Sequence, residues 1–267
     1  MGKVIFITGV SSGFGKAMAE ALSGQGHVVY GSSRRPGFKT EGVQVLKMDV
    51  TVEEEVKQAV QTIVDREGRI DVLINNAGFG LAGALEDFTE EEAKMEFETI
   101  VLGAYRCSRS VLFHMRRQKA GMILSVGSIA GLMGIPFQGF YSASKFGLEG
   151  LMQALRYEVS RHGINVVMLN PGDFDTGFTK NRRLVEKTPD SDYKERFFRT
   201  LDVIEKDEGS GLKADVLAKK VTSIVGKRNP RHRYIVASFD QKLAVFLNRA
   251  LPPKWFFRII GSHYKTH

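Results

Sequence analysis

Tyr141 and Lys145 stand four residues apart in a stretch with helical apolar spacing, so both side chains leave one face. A phenol that titrates near pH 10 is a poor base at neutral pH, and an ammonium beside it favours the phenolate. Ser128, 13 residues before Tyr141, supplies a hydroxyl able to donate to an oxygen on which charge develops. These three residue types suit proton exchange with an alcohol or carbonyl oxygen. With seven tyrosines in the chain, a Tyr-x-x-x-Lys pair also arises by chance, and an isolated serine is most often a loop hydroxyl serving nearby backbone. The trio gains weight from what surrounds it.

A second constellation lies at the amino end. The apolar run 4–7 leads into Thr8-Gly9-Val10-Ser11-Ser12-Gly13-Phe14-Gly15, and 16–22 then has a helical pattern. Glycines let the backbone turn tightly and approach a pyrophosphate, while the helix start offers amide donors at a positive dipole end. A strand before and a helix after separate this loop from an ordinary glycine-rich turn. The end of the next strand distinguishes the two nicotinamide dinucleotides, because an acid there bonds a free ribose and repels a 2′-phosphate. Here the chain reads Ser33-Arg34-Arg35, with two cations and no acid. That favours NADP(H) over NAD(H) as cofactor. Plain solvation of both arginines is the alternative reading of such a pair.

The elements that must position these groups follow from the apolar pattern. Strand-like runs at 3–8, 27–33, 44–49, 70–75, 121–126, 164–170 and, later, 233–237 alternate with helical stretches at 15–23, 52–67, 90–119, 141–162 and 214–226. The pattern is that of βαβ units, which predicts an α/β fold: a single doubly wound Rossmann-type domain over 1–267, its parallel sheet flanked by helices. From 176 to 212 the chain is polar, charged and short of β-branched runs, so 174–212 is expected to be a flap over the substrate. Phe174, Phe178, Phe197, Phe198 and Leu201 in it, with Met133, Phe137 and Phe140 near the tyrosine, predict a greasy cleft for a lipophilic alcohol or carbonyl. For any one of these side chains, anchoring the flap to the core is the simpler role.

Composition excludes several classes. The 267 residues are 43% hydrophobic and 25% charged, which belongs to a globular chain rather than a disordered one. The one cysteine, Cys107, can close no internal disulfide, and no Cys/His cluster has metal-ligand spacing; the expectations are no metal and a reducing, cytoplasmic setting. The amino end lacks the pattern of a signal peptide, and no apolar stretch nears the roughly 18 residues of a membrane span. The net charge is +8. Beyond residue 226 nine Lys and Arg face only Asp240, so the whole excess lies at the carboxyl end. A neutral body with one basic end does not suit a surface that tracks nucleic acid, and no nucleic-acid partner is expected.

Six motifs in order resemble the classical short-chain dehydrogenase/reductase family: the 8–15 loop, Asp49-Val50, Asn75-Asn76-Ala77-Gly78, Ser128, Tyr141-Ser142-Ala143-Ser144-Lys145, and Pro171-Gly172 with Thr176. The stretch from Gly131 through Phe137 to Leu151 is similar to its hydroxysteroid and retinol dehydrogenase branch. The resemblance implies an oxidoreductase that moves hydride between a nicotinamide dinucleotide and an apolar secondary alcohol or its ketone. Tyr141 would be the acid/base, Ser128 the donor to the substrate oxygen, and Lys145 both the partner of Tyr141 and a ligand of the nicotinamide ribose. Thr8, Gly9, Gly13 and Gly15 would frame the phosphates, with Ser11 and Ser12 in the same contact set and Phe14 there as a packing residue. Ser33, Arg34 and Arg35 would meet the adenosine phosphate, and Asp49 and Val50 would flank the adenine. Asn76, Ala77 and Gly78 would line the adenosine side, and Pro171, Gly172 and Thr176 would hold the nicotinamide end. The family also implies a homodimer or homotetramer built on the helices at 90–119 and 141–162.

One departure stands out. Where the family pattern has an asparagine that helps hold a water in a proton relay, this chain has Ile100, which neither donates nor accepts a hydrogen bond. A catalytically impaired NADP(H)-binding protein, acting as sensor or scaffold, is therefore the alternative function. The segment 239–267 interleaves bases with bulky apolar residues and is broken by Pro252-Pro253. Packing on its own subunit or a partner is the first expectation for it, and weak peripheral contact with an anionic membrane the second.

Overall fold

The computed structural model describes residues 2–35 and 37–266, without the side chains of Phe178 and Lys180. Its elements in chain order begin with β1 (Val4–Ile7), α1 (Gly13–Ser23), β2 (Val28–Ser33), β3 (Val43–Lys47), α2 (Glu53–Glu67), β4 (Val72–Asn75) and β5 (Leu81–Ala82). Next come α3 (Glu90–Phe97), a π-helical turn (Glu98–Leu102), α4 (Gly103–Gln118), β6 (Gly121–Val126), α5 (Gly139–Val159) and β7 (Ile164–Pro171). The rest comprises β8 (Phe174–Asp175), α6 (Gly177–Lys180), β9 (Arg183–Leu184), α7 (Lys194–Gly209), β10 (Leu212–Lys213), α8 (Ala214–Val225), β11 (Arg233–Val236), α9 (Phe239–Ala250) and α10 (Pro253–His263).

Seven strands form one sheet in the order β11-β7-β6-β4-β1-β2-β3, and every pair in it is parallel. All seven strands read from the sequence are there, within a residue or two at their ends. Strands of such a sheet are covered on both faces, and β1 shows how the sequence meets that need. Its Val4 and Phe6 enter the core shared with Val60, Ile63 and Met152 of α2 and α5, and its Ile5 and Ile7 enter the core shared with Met18 and Leu22 of α1 and Val221 of α8. The order reverses between β1 and β4, and the crevice outside the carboxyl ends at such a point is where an α/β sheet takes ligands.

Two regions differ from the sequence reading. The single helix expected over 90–119 is interrupted by the π turn, which falls on three consecutive β-branched residues, Thr99, Ile100 and Val101, that crowd a regular α-helix. The helix resumes at Gly103, where an added Cβ would lie 2.7 Å from a Val50 methyl. The flap is not devoid of structure either: much of it is α7, whose buried Phe197, Thr200, Leu201, Ile204 and Glu208 recur at helical spacing. An amphipathic helix needs no β-branched run, so the composition that read as loop is its exposed face.

Candidate active site

The glycine loop leaves β1 through Thr8, which is buried and braced. Its hydroxyl accepts from the Asn76 and Ala77 backbone N–H groups at 2.9 and 3.0 Å, and the Asn76 amide donates to the carbonyls of Thr8 and Gly9 at 2.9 and 3.0 Å. Asn76 therefore ties the loop after β1 to the loop after β4. Gly9 and Gly13 have φ of 72° and 54°, the left-handed region open to glycine. A Cβ on Gly15 would stand 2.0 Å from the Gly9 carbonyl oxygen, so only glycine lets α1 start this close to the loop.

An open cleft of about 1420 Å³ runs over this loop. Gly9, Ser11, Ser12, Gly13 and Phe14 line one side, and Ser33, Arg34, Arg35, Asp49 and Val50 line its far end. Asn76, Ala77, Gly78 and Thr176 complete the expected set, while Thr8 and Gly15 support it from behind. Both arginines are exposed. Arg183, from β9 in the flap, adds a third cation to this wall and sits over the Phe79 ring, 5.3 Å from its centroid. The Asp49 carboxylate is turned to its own chain, accepting from the backbone and hydroxyl of Thr51 at 2.9 and 2.8 Å.

The second pocket, about 890 Å³, adjoins this cleft at Phe14, Asn76, Gly78, Phe79 and Thr176 and gathers Ser128, Tyr141 and Lys145 with Pro171 and Gly172. Ser128 follows β6 and caps a short turn, its hydroxyl accepting from the Ala130 N–H at 3.0 Å. The same hydroxyl is hydrogen-bonded to the Tyr141 phenol. Lys145, one turn further along α5, donates to the Val126 carbonyl at 2.9 Å and lies 5.6 Å from the centroid of the Tyr141 ring. Burial pushes the Tyr141 phenol above its usual range, against the pull of its bond to Ser128. Burial also lowers the Lys145 ammonium to about 8, while the charges of Glu96 and Glu149 hold it up.

Ile100 is buried in the π turn, its side chain 3.5 Å from where a Cβ on Gly78 would stand, and it lines a small cavity with Thr99, Ala104, Leu148 and Lys145. One turn earlier sits a fully buried acid that the sequence reading missed. Glu96 accepts the Leu81 N–H on Oε1 at 3.0 Å, and its Oε2 has no hydrogen-bond partner among the described residues. Burial raises it to about 8, and the charge of Lys145 draws it back. No signal in the sequence set it apart, because α3 reads Glu-Glu-Glu-Ala-Lys-Met-Glu-Phe and its other acids face water or cap the helix. Also unforeseen is the brace behind Ser128: Asn170 donates to the Ser128 carbonyl at 2.9 Å and to Glu149 Oε1 at 2.6 Å, and Glu149 in turn pairs with Arg233.

The wall facing Tyr141 is less greasy than expected. Of the apolar residues named for the cleft, only Phe174 lines this pocket, stacked edge-on with Phe14. Phe137, Phe197 and Leu201 instead pack together with Ala82 and anchor the flap, Phe140 packs on Phe88, and Phe198 points partly to solvent. Phe178 lies outside the described side chains. In their place stand Asp173, Glu208 and Tyr264. Glu208 is held by Arg182 and Thr179. Burial, with the charges of Glu208 and Asp207, raises Asp173 to about 7. Met133 belongs to a third cavity of about 1300 Å³, bounded by α7, α9 and α10, which meets the Tyr141 pocket at Ile129, Asp173 and Tyr264.

A family model described as short chain dehydrogenase matches residues 3–187. The 3-ketodihydrosphingosine reductase of Bacteroides thetaiotaomicron is 48% identical over 242 residues, 90% of each chain. The NADPH-dependent 3-dehydrocapnine reductase of Ornithobacterium rhinotracheale is 31% identical over 246 residues, 86% of this chain and 87% of its own. Among solved structures, a short-chain dehydrogenase from Streptomyces avermitilis superimposes with a TM-score of 0.84 at 30% identity, covering 96% of this chain and 97% of its own.

Proposed function

The chain belongs to the short-chain dehydrogenase family and is an oxidoreductase of CH–OH and C=O groups, and from that premise we propose that it is an NADP(H)-dependent reductase of a long-chain ketone. One observation carries the substrate reading: the pocket of Ser128 and Tyr141 adjoins a further cavity whose Met133, Leu243, Leu247, Phe256, Ile259 and Ile260 offer apolar surface to a hydrocarbon tail beside its acids Asp207 and Asp240, with the Asp173 carboxyl at the junction for a polar head. Two relatives act on 3-keto compounds by name, one of them with NADPH. The absence of an acid after β2, with Arg34 and Arg35 in its place, supports the phosphorylated dinucleotide.

The loop fits a dinucleotide because Gly15 clears the space a Cβ would fill and α1 turns its first amides towards the cleft. A nicotinamide bound there supplies the hydride. This chain's residues handle the proton. Ser128 donates to the substrate oxygen and orients it, and the Tyr141 O–H bond breaks as its proton passes to that oxygen. Lys145, held by the Val126 carbonyl, keeps a positive charge beside the phenolate that remains. In the alcohol-to-ketone direction the phenolate takes the proton back.

The trio, assembled in one pocket, supports this reading over a silent cofactor binder, which rests on Ile100 alone. Fluorescence titration with NADPH and NADH, followed by turnover of 3-ketones of increasing chain length, tests it. NADPH is expected to bind about tenfold more tightly or better, and turnover to rise with chain length. Tight binding with no turnover of any chain length would overturn the catalytic part, and a preference for short ketones the substrate part.

A further inference from the structure

The carboxyl-terminal helices carry a surface that none of the other described residues covers. Val245, Leu247, Phe256 and Ile260 turn inward and pack on Ile129, Leu132 and Met133, so α9 and α10 are anchored to the body. Their outer faces are apolar and wet: Phe239 is 80% exposed, Phe246 63%, Trp255 60% and Phe257 69%. Phe239, Leu243 and Phe246 fall at positions i, i+4 and i+7, one stripe of α9, and beyond the break at Pro252-Pro253 α10 exposes Trp255 and Ile259 one turn apart and Phe257 on its other flank, either side of the buried Phe256. Lys242, Arg249, Lys254 and Arg258 stand on these two helices, all exposed, against Asp240 within the segment and Asp207 of α7, which pairs with His263 of α10. Leu243 and Ile259 are both part-exposed and both line the third cavity, so its mouth opens on this same face.

We infer that α9 and α10 form a docking face for an anionic lipid bilayer, with the mouth of the apolar cavity turned to the membrane. Aromatic side chains beside Lys and Arg on short amphipathic helices suit the boundary between headgroups and acyl chains, where the bases meet anionic headgroups. Each base near such a surface strengthens binding about fivefold. A second copy of the chain fits poorly, because a self-complementary contact would bring two faces with the same excess of positive charge together. A long-chain substrate partitions into a bilayer, and this face would hand its tail directly to the cavity. That last step rests on the proposed function, whereas the docking does not.

Trp255 is the only tryptophan, so the emission of the intact protein reports this face alone. Vesicles containing phosphatidylglycerol are expected to shift it to the blue and to carry the protein down on sedimentation. Neutral phosphatidylcholine vesicles should do so at least about tenfold more weakly, and salt should reverse the binding. The variant Phe239→Ser/Phe246→Ser/Phe257→Ser should lose binding, and Lys254→Glu/Arg258→Glu should lose the preference for anionic lipid. All five positions are exposed, and an unchanged melting temperature will show that the fold persists. Unchanged emission and no sedimentation at low salt would overturn the inference. So would equal binding to both vesicles, or a blue shift that grows with protein concentration in the absence of lipid, which would assign the face to a second copy. None of these readings depends on turnover, so failure here and failure of the reductase reading are distinguishable.

Discussion

The two ends of the cleft hold their charges in opposite ways. At the adenosine end Arg34, Arg35 and Arg183 lie along an open wall, in water. At the reacting end Tyr141, Lys145 and Glu96 are out of water, packed between α3, α5 and the end of β6. Exposed cations attract a phosphate while keeping their own protons, and salt weakens that attraction. Buried groups respond by moving their titration, because the charged form is what burial penalises. Charges of the first kind suit the recognition of an anion, whereas those of the second kind set one another's protonation.

The largest effect should come from the buried end. Tyr141→Phe removes the only proton that the mechanism moves and is expected to lower kcat by about 10²–10⁴-fold with NADPH affinity unchanged. A variant that keeps wild-type turnover would place the acid elsewhere. At the exposed end, Arg34→Ala/Arg35→Ala should weaken NADPH binding by about tenfold or more, leave NADH binding unchanged, and flatten the salt dependence. Equal losses for both dinucleotides would show that the pair does not meet a 2′-phosphate.

Glu96→Gln sharpens the contrast further, since glutamine keeps an acceptor for the Leu81 N–H and removes only the charge. In the proposed mechanism Tyr141 works beside the Lys145 ammonium, which is lost as the pH passes about 8. The Glu96 charge raises that value, so its removal should move the alkaline limb of the pH–rate profile to lower pH. Stability should follow as well. Glu96 titrates at about 8 in the fold against an ordinary 4.5, so the stability its protonated form contributes is present below 4.5 and lost as the pH rises towards 8. Glu96→Gln should flatten that slope, and a melting temperature with the wild-type pH dependence would contradict it. The smallest effect on turnover is expected of Ile100→Asn. It buries an amide in a small cavity that Val50, Ala104 and Leu148 share with Asn75, Thr99 and Lys145, which should cost about 1–3 kcal/mol of stability by denaturant unfolding wherever the amide stays unpaired. Its kcat should change by less than about tenfold, and a much larger gain would mean that Ile100 had broken the relay.

What could be read from the chain depended on how local the constraint was. The glycine loop was legible because each glycine answers a demand made by its immediate neighbours, and the Tyr141–Lys145 pair because one helical turn sets its spacing. The strands were legible because a sheet covered on both faces leaves continuous apolar runs. Glu96 was not, since an acid on an amphipathic helix reads as solvated until the opposite element is known, and here that element carries Lys145. The apolar residues named for the cleft could not be sorted for the same reason: Phe137, Phe197 and Leu201 have the composition of a cleft and the position of an anchor, the simpler of the two roles open to each.

The sequence by itself therefore determined the sheet, the glycine loop, the family and the three residues on which the proposed chemistry rests. All rest on periodicity or on motifs a few residues long, where neighbours along the chain are neighbours in space. Only the tertiary structure decided which charges are buried, what the flap covers, and that an apolar cavity under α9 and α10 meets the pocket of Tyr141. Burial and adjacency between distant segments are set by how the elements pack. The protonation of Lys145 and Glu96 follows from that packing and not from their identities.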